Sequence, residues 1–281
     1  MIKLLRAGYR RYFGNILFWI SLFASAVLGI ASGVRVKEDS RLDDIYVIIG
    51  FLIYAALLSL MIGREFSDGG FRNKIASGHT KGAVFASECI IALSVCFVLS
   101  LASWGVFLLF NVSAFGHILQ DVLIKSAIGY IFLIISMITM IFIVSILIPR
   151  KAVAAALALL LVFGSYLAAY ELDSALSRPE YQMEAVLVDG MVQFNEGKIK
   201  NPDYIGSPLR EKLIFAFNII PIGQAMEYNS IVVPLFDPLN VIASVDEENA
   251  KMLNTLPLYS VGTALVLIAV AYVLFRKKDI K

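Results

Sequence analysis

The sequence predicts an all-α membrane protein with six transmembrane helices. Of its 281 residues, 59% are hydrophobic and only 16% charged, whereas a soluble domain carries about 25% charged residues. Six apolar runs cover residues 15–34, 45–62, 83–110, 123–148, 152–170 and 257–275. They match the roughly 20 residues that a helix needs to cross the hydrocarbon core of a bilayer. The short loops between the runs also divide into basic and less basic sides, as the positive-inside rule requires of membrane proteins.

Residues 1–14 form the first element, an interfacial amphipathic helix. Ile2, Leu5, Tyr9, Tyr12, Phe13 and Ile16 fall on one arc of a helical wheel. Lys3, Arg6 and Arg10 fall on the neighbouring arc, and Leu4 lies off the apolar stripe. Such a helix lies along the membrane surface. The basic start, the apolar stretch and Ala24-Ser25-Ala26 have the outline of a secretory signal. The apolar run continues to Val34, however, so it reads as the first span.

Residues 15–170 hold five spans. The fourth and fifth are separated by Pro149-Arg150-Lys151, where proline enforces a sharp turn. Orientation follows from charge. Fourteen of the 24 Lys and Arg residues lie on one side: Lys3, Arg6, Arg10 and Arg11; Arg64, Arg72, Lys74 and Lys81; Arg150 and Lys151; Arg276, Lys277, Lys278 and Lys281. The opposite short loops carry only Arg35, Lys37, Arg41 and Lys125. The basic side is therefore expected to face the cytoplasm of a plasma-membrane protein, with both termini inside.

Segment 171–256 is then a large extracellular piece between the fifth and sixth spans. Ala185–Val188, Asp189-Gly190 and Met191–Phe194 read as a β-hairpin with a two-residue turn. Ser207-Pro208 opens a helix that runs to Ile219, before Pro221. The stretch from Leu213 to Ile222 is too apolar for a solvated loop and should pack on the bundle or enter the outer leaflet. Ser244 and Glu247 form a capping box for a short helix that ends near Pro257. Residues 257–281 make the sixth span and a basic tail.

Several chemistries are excluded or weakly supported. The net charge of +2 suggests no nucleic-acid surface. Cys89 and Cys96 lie seven residues apart on one helix, too far for a disulfide. His79 and His117 form no zinc motif, and no Gly-x-x-x-x-Gly-Lys-Ser/Thr loop is present, so the chain binds no metal and no ATP in the P-loop manner. Glu247-Glu248 fits helix capping better than a protease pair. Glu88 and Lys125 lie near span ends and are expected to snorkel to the interface. No acidic or histidine relay crosses mid-membrane, which argues against ion coupling.

The most informative loop runs from Ile62 to Lys81. Ser67 or Asp68 can cap a short helix over 68–78, and Gly78 can end it. Phe71 and Ile75 share a face, flanked by Arg72 and Lys74. An apolar knob with a basic rim suits docking into a cleft on another protein, although a plain basic turn is also consistent with the pattern.

This loop, with Gly63-Arg64-Glu65, Gly69, Phe71-Arg72-Asn73-Lys74-Ile75, Gly78 and Lys81, resembles the coupling-helix region of type-2 ABC exporter permeases. Asn218-Ile-Ile-Pro221-Ile-Gly223-Gln224 is similar to the stretch before that family's last span, and Phe275–Asp279 to its basic ending. Gly70 departs from the family, where threonine is common, and 171–200 matches no family pattern. The resemblance implies a permease subunit that is not itself an enzyme. It would work with a second permease subunit and a separate ABC ATPase that binds ATP and Mg, exporting hydrophobic or amphipathic cargo, peptides among them. Glu65, Phe71, Arg72, Lys74 and Ile75 would couple to the ATPase, with Glu65 paired to a basic residue of the N-terminal helix, for instance Arg6 or Arg10. Tyr54, Ser59, Ser165 and Tyr166 would line the cargo route. Two other classes remain open: a membrane anchor or sensory protein acting through 171–256, and a membrane enzyme, whose best candidate residues are Glu88 and His79.

Overall fold

A computed structural model describes residues 1–39, 44–112, 120–188, 191–236 and 247–279. Helix α1 spans Ile2–Phe13, α2 Ile16–Asp39, α3 Asp44–Ser67, α4 Gly70–Ala76 and α5 Lys81–Phe110. Then follow α6 Gln120–Leu147, α7 Lys151–Leu176, strands β1 Tyr181–Val188 and β2 Met191–Lys200, α8 Leu209–Ile219, α9 Pro221–Val232 and α10 Glu247–Lys277. Six of these helices are long and apolar enough to cross a membrane, the shortest such stretch being 21 residues. The chain is thus a helical, multi-pass membrane protein. Large apolar side chains on the outside of the spans, such as Phe23 at 73% exposed and Leu265 at 63%, suit contact with lipid tails.

Backbones approach closely where glycines permit it. A Cβ at Gly29 of α2 would collide with the Ser103 carbonyl of α5, and one at Gly63 of α3 would stand 2.6 Å from the Lys151 Cα of α7. Without a hydrophobic drive between helices in lipid, such contacts supply packing by letting backbones come together. Helix α2 packs along α5, α3 along α7 and α6, and α10 along α6.

Two helix boundaries differ from the sequence reading. Pro257 does not start the last span; it lies inside α10, which is continuous from Glu247. Proline removes one backbone hydrogen bond, but Leu253, Leu256 and Ser260 around it are all buried and hold the helix together. The apolar region beyond Pro221 forms a further helix, α9, with proline in its first turn. Helices α8 and α9 make a hairpin against α6, α7 and α10, which gives the apolar Leu213–Ile222 stretch its packing partner. Gln224 anchors it: fully buried, it donates to the Asn218 carbonyl (2.7 Å) and accepts from the Ser260 hydroxyl (2.6 Å). Ser207 does not cap α8; its hydroxyl bonds the Glu211 carboxylate at 2.7 Å.

The hairpin is antiparallel, with Val188 paired to Met191 and Tyr181 to Lys200. The expected turn Asp189-Gly190 and the capping residue Ser244 lie outside the described residues.

Helix α1 meets the bundle through a row that includes Leu4, which lies off its apolar stripe, and Tyr12, which lies on it. Leu4, Gly8 and Tyr12 are buried, whereas Ile2 and Phe13 are exposed. The cause is Gly8, whose missing side chain makes room for Ile91 of α5. The buried face is therefore the i, i+4, i+8 row through Leu4. Tyr9 keeps its place at the edge and bonds Ser94 at 2.7 Å.

Candidate functional site

Both described ends of the chain meet at the basic end of the bundle, around α4. This helix is seven residues long. It is framed by two glycines in the left-handed region, Gly69 at φ 70° and Gly78 at φ 90°, a conformation that glycine adopts without steric cost. The structure corrects the expected cap: Gly69 precedes the helix and no side chain caps it. Gly78 stands just past its end, as expected.

The apolar knob also points the other way. Phe71 is 1% exposed. Its ring packs on Phe66 at 4.3 Å between centroids and on Phe275 of α10 at 5.9 Å. Phe85 continues the cluster, 5.6 Å from Phe275. Phe71 is thus an anchor toward the bundle, because the aromatic rings of three other helices offer it more buried area than a water-facing position. Ile75 is partly buried beside the same core. Arg72 and Asn73 are exposed, with Ala76 next to them.

Lys74 turns inward as well. Its ammonium lies 2.8 Å from Glu65 Oε2 and 2.7 Å from Glu88 Oε1. Arg11 completes the set, pairing with Glu65 and with Glu88 Oε2 at 3.1 Å. Two cations and two carboxylates from α1, α3, α4 and α5 therefore form one closed network. Glu88 is 1% exposed, so it does not snorkel to the interface but is neutralised in place. Burial, partly offset by Glu88, holds the Lys74 ammonium below the usual lysine range. Glu65 pairs with a basic residue of the N-terminal helix as expected, and that residue is Arg11, not Arg6 or Arg10. Arg11 follows Leu4 and Gly8 at i+7 and i+3, on the face turned to α5, whereas Arg6 and Arg10 are exposed.

The network also accounts for Gly70. A Cβ there would collide with the Glu65 carboxylate, so glycine leaves room for the carboxylate to reach both of its cations. The tail is fixed to the same region. Lys81 donates to the carbonyls of Arg276 (3.2 Å) and Lys278 (2.8 Å), and Lys278 donates to the Leu147 carbonyl at 2.9 Å. The Lys278 ammonium also sits 3.7 Å from the Phe66 ring centroid.

At the opposite end, α2, α3, α5, α6 and α9 line a partly open cavity of about 390 Å³. Tyr54 lines it and bonds Ser100 at 2.7 Å. The other three residues expected on a route do not line it. Ser59 is buried and bonded to the Ala55 carbonyl of its own helix. Ser165 bonds the Leu161 carbonyl at 2.6 Å, and the Tyr166 ring lies 6.0 Å from that of Tyr170. His79 is half-buried.

No protein-family model, curated protein or solved structure matches this chain.

Sequence reasoning missed Arg11 and the inward turn of Phe71 and Lys74. The spacing of Arg11 from Gly8 was the available signal, since a small residue marks where a helix can approach its neighbour.

Proposed function

We propose that the chain is the membrane-spanning subunit of an ATP-driven exporter, with the basic end in the cytoplasm and a separate ATPase seated on α4. One observation carries the reading. A seven-residue helix is joined to three long helices by ion pairs and aromatic contacts, while its outer face stays exposed. A plain connecting turn has no use for a buried, charge-balanced network, which costs desolvation to build. A handle that receives force does, because an applied push then moves the helices together.

The contact set follows from the geometry. Arg72 and Asn73 face the partner, with Ala76 at the edge and Ile75 partly accessible. Glu65, Lys74 and Phe71 hold the handle. ATP and Mg bind the partner, and a second permease subunit completes the unit. The resemblance in the 62–81 loop supports this assignment, and it suggests hydrophobic or amphipathic cargo.

The test is co-expression with the P-loop ATPase encoded nearest to this chain's gene. Wild-type protein is expected to co-purify with it. Arg72→Glu is expected to weaken the complex about 30-fold, corresponding to a contact of roughly 2 kcal/mol, without changing the amount of protein in the membrane. Failure of any ATPase to co-purify, or an unchanged complex with Arg72→Glu, overturns the proposal. Phe71→Asp is unsuitable here, because it buries a charge in the aromatic cluster and disrupts the helix itself.

A further inference from the structure

Helix α1 carries three cations that the network around α4 leaves unused. Arg11 turns inward to Glu65 and Glu88, whereas Lys3, Arg6 and Arg10 are exposed. None of these three has an ion pair or a side-chain hydrogen bond among the described residues. No acidic residue precedes Glu38, so the helix supplies no counter-charge of its own. Glu65 and Glu88 are taken by Arg11 and Lys74, and Asp68 pairs with Arg64 at 3.2 Å. Lys3, Arg6 and Arg10 follow one another at i, i+3 and i+7, a row about 10 Å long at ~1.5 Å rise per residue. Like charges at such spacings destabilise a helix, and a shared anion relieves them.

The row borders apolar side chains that face outward. Ile2, Arg6, Arg10 and Phe13 lie at i, i+4, i+8 and i+11 and share one exposed strip. Rings continue from its end: Phe13 packs on Phe18 at 5.0 Å and Phe18 on Trp19 at 5.3 Å between centroids. The exposed Trp19 donates from its indole nitrogen to the Phe13 carbonyl at 2.9 Å. Tryptophan with one apolar and one bonded side marks the level of the headgroups. The cations therefore stand at headgroup depth, beside side chains that reach acyl chains. We propose that α1 is a binding site for an anionic phospholipid, its phosphate held by Arg6, Arg10 and Lys3 and its acyl chains lying on Ile2, Phe13 and Trp19. Guanidinium groups match phosphate in geometry as well as charge. A zwitterionic headgroup brings its own cation, which the row repels. The site lies within one chain and needs neither an ATPase nor a second permease subunit, so it stands or falls apart from the exporter reading.

Trp19 reports on this site, and the only other tryptophan, Trp104, lies at the far cavity. In a Trp104→Phe background, the full chain in phosphatidylcholine nanodiscs receives a small fraction of chain-brominated phosphatidylglycerol or chain-brominated phosphatidylcholine. Quenching of Trp19 is expected to give phosphatidylglycerol a roughly fivefold higher association constant, the worth of one phosphate shared by the row. Arg6→Gln with Arg10→Gln should bring the ratio below about twofold. Arg72→Gln with Lys277→Gln removes two exposed charges from the same end and should leave the ratio unchanged. Inorganic phosphate should not displace the lipid. Native mass spectrometry of the unaltered chain, extracted from an equimolar mixture of the two lipids, should show the same preference without the tryptophan change. A ratio below about twofold in the parent chain, or no fall in the Arg6 and Arg10 variant, overturns the proposal. An equal fall in the Arg72 and Lys277 variant overturns it as well, because the attraction would then belong to the whole basic end. Displacement by inorganic phosphate would mean a phosphate site without lipid and also overturns it.

Discussion

Glu88→Gln is the most telling perturbation of the basic end. Glu88 is 1% exposed and accepts from Arg11 at 3.1 Å and Lys74 at 2.7 Å. Glutamine keeps the shape and removes the charge, leaving two cations facing one carboxylate, Glu65. Removing one member of a buried ion pair costs about 3–5 kcal/mol, because the remaining charge is left uncompensated. Arg11 and Lys74 keep 22% and 15% of their side-chain surface exposed, so the lower figure applies, about 3 kcal/mol. For a chain of this size that corresponds to a fall of roughly 6–12 °C in the thermal midpoint. The assay is unfolding in one detergent at one scan rate, followed by tryptophan fluorescence. Glu88→Gln combined with Lys74→Met restores charge balance between Arg11 and Glu65. The double variant should therefore recover at least about 1 kcal/mol relative to the sum of the two single losses. A fall of less than about 2 °C in Glu88→Gln, or strictly additive single effects, would refute the claim that these four side chains act as one unit.

Two further predictions concern the frame around the network. Gly29→Leu should separate α2 from α5, because its side chain meets the Ser103 carbonyl; overpacking of this kind costs about 1–3 kcal/mol, and the same midpoint assay reads it, whereas Gly105→Ala, with open space around it, should change little. Burial pushes the Lys278 ammonium down to about 8. The unfolded chain then holds more protons than the folded one between about pH 8 and the ordinary lysine value of roughly 10.4, so stability contributed by this group rises with pH across that window. Subtracting the pH profile of Lys278→Met from that of the wild type should isolate this rise, and a difference that falls with pH would contradict it.

The spans were legible because their signal is long and redundant. Twenty or so apolar residues flanked by charge leave few alternatives, and 45–62 and 152–170 needed only their ends extended, to Ser67 and Leu176. Rotation about a helix axis was harder. The row of α1 that meets α5 includes Leu4, off the apolar stripe, and the contact is made at Gly8 and Ile91, which are 83 residues apart in sequence. The orientation of Phe71 depended on Phe66 and Phe275, and the latter lies in the last helix. Pairing of a residue with a partner so far along the chain leaves no local pattern. Lys74 and Glu88 were each visible as charges near a membrane edge, but a surface position and a neutralised buried one look alike until the neighbouring helices are placed. Pro257 misled for the opposite reason: a strong local rule was overridden by burial on both sides of it.

The last helix links the two ends of the molecule. At about 1.5 Å per residue, the 31 residues of α10 make a rod of roughly 45 Å. Phe275 clasps α4 at its foot, and Ser260 grips the buried Gln224 of the α8–α9 hairpin farther up. The short helix and the α8–α9 hairpin are thus attached to one continuous helix, and a variant that loosens either attachment would leave the other in place on the same rod.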